Sequence, residues 1–152
     1  YFWNVRGEQL DAKQKVRVLQ FWNRCLTWAR GLSEAPTSTL ANLSRLSSYI
    51  QKLDTFTERL LTEVAPYVST DFNATQFVEN LNRLAEESPG RVSRILGRTL
   101  DTYQPVFDYE GQLAGLLRKL LENSDTRLEA LRHVNRVRLP EMAALYREFT
   151  ST

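Results

Sequence analysis

At 152 residues and 17.6 kDa the chain fits one domain, and its 42% hydrophobic and 25% charged residues exclude wholesale disorder. The 20 Lys and Arg outnumber the 18 Asp and Glu by only two, too small an excess by itself to imply nucleic acid or an acidic membrane. One cysteine, Cys25, excludes an intrachain disulfide and a cysteine-rich zinc site, and one histidine, His133, removes most metal and triad chemistries.

The opening Tyr1-Phe2-Trp3-Asn4 has no initiator methionine and no signal-peptide order of basic, apolar and small residues. No apolar run approaches the roughly 18 residues of a membrane span. The expectation is an excised, cytoplasmic domain covering residues 1–152, with no internal boundary. Two sequons, Asn42-Leu43-Ser44 and Asn73-Ala74-Thr75, are read as chance occurrences.

Helical periodicity dominates. Between Glu8 and Leu32 two apolar stripes run together, one through Val16, Leu19, Trp22, Leu26 and Ala29, the other through Val18, Phe21, Cys25, Trp28 and Leu32. So broad a surface predicts a helix buried on more than one side. Thr37 or Ser38 is the expected cap of a second helix with Leu40, Leu43, Leu46, Ile50 and Leu53 inward. Thr55-Phe56-Thr57-Glu58 reads as a capping box opening a third, stopped by Pro66.

Asn73 is the expected cap of a fourth helix with Phe77, Val78, Leu81, Leu84 and Ala85 on one face. Ser88-Pro89 starts a fifth, with Val92, Ile95, Leu96, Leu100 and Tyr103 inward. Asp108 precedes a sixth, with Tyr109, Leu113, Leu116, Leu117, Leu120 and Leu121 on one face. After the turn Asn123-Ser124-Asp125, a seventh packs Leu128, Leu131, Val134 and Val137, and Pro140 opens a last short one. The fold class expected is all-α, with about eight helices.

The starts recur. Thr37, Asn73 and Asp108 stand 36 and 35 residues apart, and Thr55, Ser88 and Ser124 stand 33 and 36 apart. That is the two-helix period of a solenoid, in which stacking buries the side a single hairpin leaves open. The expected architecture is a short HEAT-like α-solenoid of antiparallel hairpins.

The run from Phe77 through Leu81-Asn82-Arg83-Leu84 to Ser88-Pro89-Gly90-Arg91-Val92 looks like a HEAT-type hairpin, continued by Leu113–Leu121 and Leu128–Val137. With the aromatics Trp3 and Phe21-Trp22, it resembles the helical C-terminal regions of large bacterial proteins. Those proteins carry a sirtuin-like or P-loop NTPase domain elsewhere and are associated with anti-phage defence or restriction. The resemblance implies a bacterial cytoplasmic protein whose enzymatic part is missing here; no catalytic residue of those domains has a counterpart in this sequence.

Polar candidates are few. Gly111-x-x-x-Gly115 lacks the Lys-Ser/Thr of a P-loop and sits in a predicted helix, so it is read as close packing, and Gly97 as a crowded crossing. His133, away from the Leu131/Val134 stripe and one turn after Glu129, is expected on a solvated face. Cys25 is expected to be a small buried hydrophobe.

Charge is unevenly spread, with net +5 over residues 1–53, −5 over 54–87, +3 over 88–138 and −1 over 139–152. Arg91, Arg94 and Arg98 line one rim of the fifth helix, and Arg132 and Arg136 share a face of the seventh. If second helices line one wall, these five arginines converge on it, and their forks suit phosphate. The alternative is a solvated face with arginines paired to Glu129, Asp101 and Glu122.

Without an acid–base–nucleophile set the chain reads as a non-catalytic interaction or scaffold module, with no cofactor and no metal. The expected partner is a protein or a neighbouring domain of the same chain; the alternative is a module that holds nucleic-acid phosphates. No membrane partner is expected.

Overall fold

In a computed structural model, which describes residues 10–68 and 71–151, the described residues form helices and turns with no strand. The aromatic opening Tyr1–Trp3 lies outside the described residues. Eight α-helices follow one another: α1 Ala12–Arg30, α2 Thr37–Leu43, α3 Thr55–Val64, α4 Asp71–Leu84, α5 Pro89–Leu100, α6 Gln112–Glu122, α7 Arg127–Arg136 and α8 Pro140–Thr150.

Local chemistry sets the boundaries. Asp11 opens α1 with a reciprocal cap: its carboxylate accepts from the Gln14 amide at 2.8 Å, and the Gln14 side chain accepts from the Asp11 amide at 2.9 Å. At α3 the cap is Asp54, one residue before the expected box. It accepts from the Thr57 amide at 2.9 Å, which holds its carboxyl below the usual range. Pro36, not Thr37 or Ser38, precedes α2 and makes no side-chain cap. Ser88 precedes Pro89 as expected but makes no side-chain bond. Asn73 lies inside α4 and is buried, with its side chain accepting from Arg45 Nε at 2.9 Å. The sequon it heads is therefore inaccessible.

The second predicted helix is cut short. After Leu43 the chain tightens into a 3₁₀ segment, Ser44–Tyr49, and then extends at Ile50. Serine explains the change, because its hydroxyl competes for backbone carbonyls: Ser44 donates to the Ala41 carbonyl at 2.5 Å. The apolar stripe survives, since Leu40, Leu43, Leu46, Ile50 and Leu53 are all buried.

Before α6 the backbone turns left-handed at Glu110 (φ 53°) and Gly111 (φ 68°). This reversal brings Asp108 back over the helix start, where its carboxylate accepts from the amides of Leu113 at 2.7 Å and Ala114 at 2.9 Å. Asp108 is thus the cap expected, acting across the turn. Tyr109 sits in that turn and is exposed, not on the buried face.

Two rows of helices result. In one, α1 packs on α3, α3 on α5 and α5 on α7; in the other, the 3₁₀ segment packs on α4, α4 on α6 and α6 on α8. The pairs α4–α5, α6–α7 and α7–α8 cross between rows. The apolar residues between the rows form one cluster, with Trp22, Leu61, Phe77, Leu81, Ile95, Leu96, Leu116, Leu117 and Leu120 fully buried. Gly115 lets α6 approach α4: a β-carbon there would stand 3.3 Å from the Asn82 amide.

Polar ties between helices span 28 to 40 positions along the chain, several of them 33 or 36. Arg30 to Glu63, Asn80 to Ser47 and Arg91 to Glu58 span 33 positions. Arg59 to Asn23, Arg94 to Glu58, Ser93 to Glu129 and Thr102 to Pro66 span 36.

The first and seventh helices depart from expectation. In α1 only Val18, Trp22, Leu26 and Ala29 are buried, whereas Phe21 is 53% and Trp28 55% exposed, and Val16 and Leu32 also face outward. An α-helix with neighbours on one side covers one stripe, and among the described residues α1 packs chiefly on the 3₁₀ segment and α3. Cys25 is accordingly half-buried, its thiol pKa raised chiefly by that burial. In α7, Leu128 is 67% exposed and His133 is buried in its place.

Candidate functional site

The row α3–α5–α7 is hollowed by a groove of about 660 Å³. Its lining follows from helical spacing. Residues four apart share a face, so Arg94 and Arg98 project together from α5, and Arg132 and Arg136 from α7. All four line the groove, with Glu58 of α3 and Asp101 just beyond α5. Arg91, the fifth predicted residue, does not line it but is tied to its edge through Glu58.

These arginines are largely engaged. Glu58 accepts from Arg91 Nη1 through one oxygen at 2.7 Å, and from Arg94 Nη2 and Nε through the other at 2.7 and 2.9 Å. Asp101 accepts from Arg136 Nη2 at 2.7 Å, with Arg98 Nη1 at 3.6 Å. Arg136 Nη1 also donates to the Gly97 carbonyl at 3.2 Å. Arg132 makes no ion pair or hydrogen bond among the described residues. Of the acidic partners expected, only Asp101 takes that role. Glu58 could be found only by reading residues one interval back along the chain.

The floor is a polar knot absent from the sequence expectations. Ser93 is 1% exposed and His133 5%. The Ser93 hydroxyl donates to the Glu129 carboxylate. His133 Nε2 stands 3.0 Å from the Ser93 carbonyl, 3.2 Å from its hydroxyl and 3.5 Å from Glu129. The carbonyl only accepts, so Nε2 carries the proton and donates to it. Nδ1 is then a bare acceptor, buried without a partner. Burial pulls the imidazole pKa below its ordinary value, outweighing the Ser93 carbonyl and Glu129, which favour the charged form. Gly97 makes room for the ring, since a β-carbon there would stand 3.1 Å from His133 Cε1. The mid-helix glycine was the one sequence signal of this crossing.

The knot contains serine, histidine and glutamate but not in the order of a nucleophilic triad. There the ring bridges the other two with opposite nitrogens and accepts from the serine. Here both lie at the protonated Nε2, and the serine proton already goes to the carboxylate. The arrangement fastens α5 to α7. Among the described residues no three His, Cys, Asp or Glu side chains gather as a metal set, and no helix is long and apolar enough to cross a membrane.

Compared with models of known protein families, with curated proteins and with solved structures, the chain matches none.

Proposed function

We propose that the chain is a non-catalytic interaction module whose groove on α3, α5 and α7 holds a segment of a protein partner or of a neighbouring domain. The observation that carries this reading is the lining: cations and carboxylates in a fixed mutual pattern around a hollow, with Arg132 left open at its edge. A partner segment with its own carboxylate or carbonyl groups would complete Arg132 and match the alternation, which favours specificity over raw affinity. We read the helices as a short solenoid of antiparallel hairpins. Two rows of packed helices and polar ties spanning 28 to 40 residues, among them several of 33 or 36, support that architecture, whose extended walls suit docking. As the HEAT-like resemblance implies, we read such a module as part of a large bacterial, defence-associated protein, beside an enzymatic domain.

The test is site-specific photo-crosslinking in cells. A crosslinker at Arg132 or Arg98 should give one discrete adduct, and one at Arg147 on α8 should not. Absence of an adduct from both groove positions would sink the reading.

The alternative is phosphate binding along the same arginines. The open Arg132 favours it, but Glu58 and Asp101 already occupy the forks of Arg91, Arg94 and Arg136, and Glu129 adds a further negative charge to the lining. Phosphate contact predicts duplex affinity that falls with salt, by a slope of about −0.9 per phosphate. Equal binding after Arg91, Arg94 and Arg98 are all changed to Ala would eliminate it.

A further inference from the structure

The exposed side of α1 combines two features the groove lacks. The helix carries five cations, Lys13, Lys15, Arg17, Arg24 and Arg30, and no carboxylate. Only Arg30 is engaged, by Glu63; Lys13, Arg17 and Arg24 have no ion-pair partner among the described residues. Between these cations stand the exposed rings of Phe21 and Trp28.

Helical spacing puts them in one line. At 100° per residue, Lys13, Arg17, Phe21, Arg24 and Trp28 fall within about 80° of arc, and they run along about 22 Å of helix. The order along the axis is cation, cation, ring, cation, ring. The opposite face, with Val18, Trp22, Leu26 and Ala29, is buried in the core, so the line is turned outward.

We infer that this face of α1 is a binding site for single-stranded nucleic acid. Unpaired cations without carboxylates complement a phosphate chain. Rings set among them offer stacking to bases, and any base has a face to stack. A duplex hides those faces between neighbouring pairs and would use the cations alone. A bilayer surface wants a continuous apolar band with cations on the opposite side; in α1 that band is turned into the protein, and the exposed rings alternate with charge. The site is separate from the α3–α5–α7 groove and does not depend on the reading given to it.

The experiment is fluorescence anisotropy of labelled oligothymidylate and oligouridylate, each about 20 nucleotides, a length sufficient for several stacked bases. Hairpin duplex DNA and phosphatidylserine vesicles serve as competitors. Phe21 and Trp28 are half exposed, and circular dichroism of each variant checks that the helices persist. Both oligonucleotides or either one should bind. The pair F21A/W28A should weaken binding by about tenfold or more. The pair R17A/R24A should make the salt slope shallower by about 1.4, at about 0.7 per phosphate on single strands. Groove variants such as R132A should bind as the parent does. No binding to either oligonucleotide at low salt overturns the inference. So does binding indifferent to F21A/W28A, equal affinity for the duplex, or capture by vesicles in place of the oligonucleotides.

Discussion

Burial makes His133 a pH-dependent element of stability. Its ring is neutral in the folded protein because desolvation outweighs the Ser93 carbonyl and Glu129, and Arg136 opposes protonation further. In the unfolded chain it protonates near its ordinary value of about 6.5. The unfolded state therefore binds more protons below that value, and the contribution, full above about pH 6.5, is lost as pH falls toward the lower folded pKa. Urea unfolding of the parent should weaken between about pH 7 and pH 5 more steeply than that of His133→Gln, which has no titrating ring. Parallel pH curves for the two would show that the ring's charge state does not matter. Nothing in α7 alone identifies this residue as buried: it sits one turn after Glu129, a pattern typical of a solvated face. Its partner Ser93 and the space at Gly97 come from another helix, 36 to 40 positions away.

Elements were more legible than residues. Prolines 89 and 140 stand at the first positions of α5 and α8, and Asp108 caps α6 from four residues before it, because free first-turn amides need an acceptor and proline tolerates the first position. The same logic missed Asp54 only by choosing its neighbour. What one sequence could not give is the number of neighbours each helix has. The two stripes of α1 are equally apolar on paper, yet the buried face cuts across them: Trp22, Leu26 and Ala29 of one and Val18 of the other are buried, while Val16, Phe21, Trp28 and Leu32 are exposed. The serine-rich stretch Ser44–Tyr49 kept its apolar spacing but changed helix type, since hydroxyl competition is a local effect that the spacing does not record. Asp108 gives the clearest test of local control. It closes two amides beyond a left-handed turn that includes the non-glycine Glu110. Asp108→Ala should lower stability by about 1 kcal/mol, as loss of a helix cap does, read by denaturant unfolding. An unchanged midpoint would mean that water replaces the carboxylate without loss.

At the scale of the whole molecule, α3 to α6 are held both by neighbours along their rows and by the helices next to them in sequence. Interior helices α4, α5 and α6 have neighbours on both sides along their rows, whereas α1 and α8 stand at the ends of theirs. Local opening should then be graded. Amide hydrogen exchange should be slowest in α4 to α6 and fastest in α1 and α8; uniform protection would point to a single closed core without rows. The helix starts stand 34 and 41 residues apart for α2, α4 and α6 and 34 and 38 for α3, α5 and α7, a looser spacing than the sequence suggests. The polar ties that lock the rows were not visible in the sequence, because each joins residues of unrelated local pattern. Those ties carry a consequence for how such a chain can change length. Arg91 and Arg94 reach Glu58, and Glu129 reaches Ser93, across one interval each. An insertion of one full interval would present fresh acceptors at the old positions, whereas a few residues added mid-helix would leave donors facing the wrong rung. For the solenoid proposed above, growth and loss by whole units is then the tolerated route, as a ladder is extended by sections and not by stretching one step.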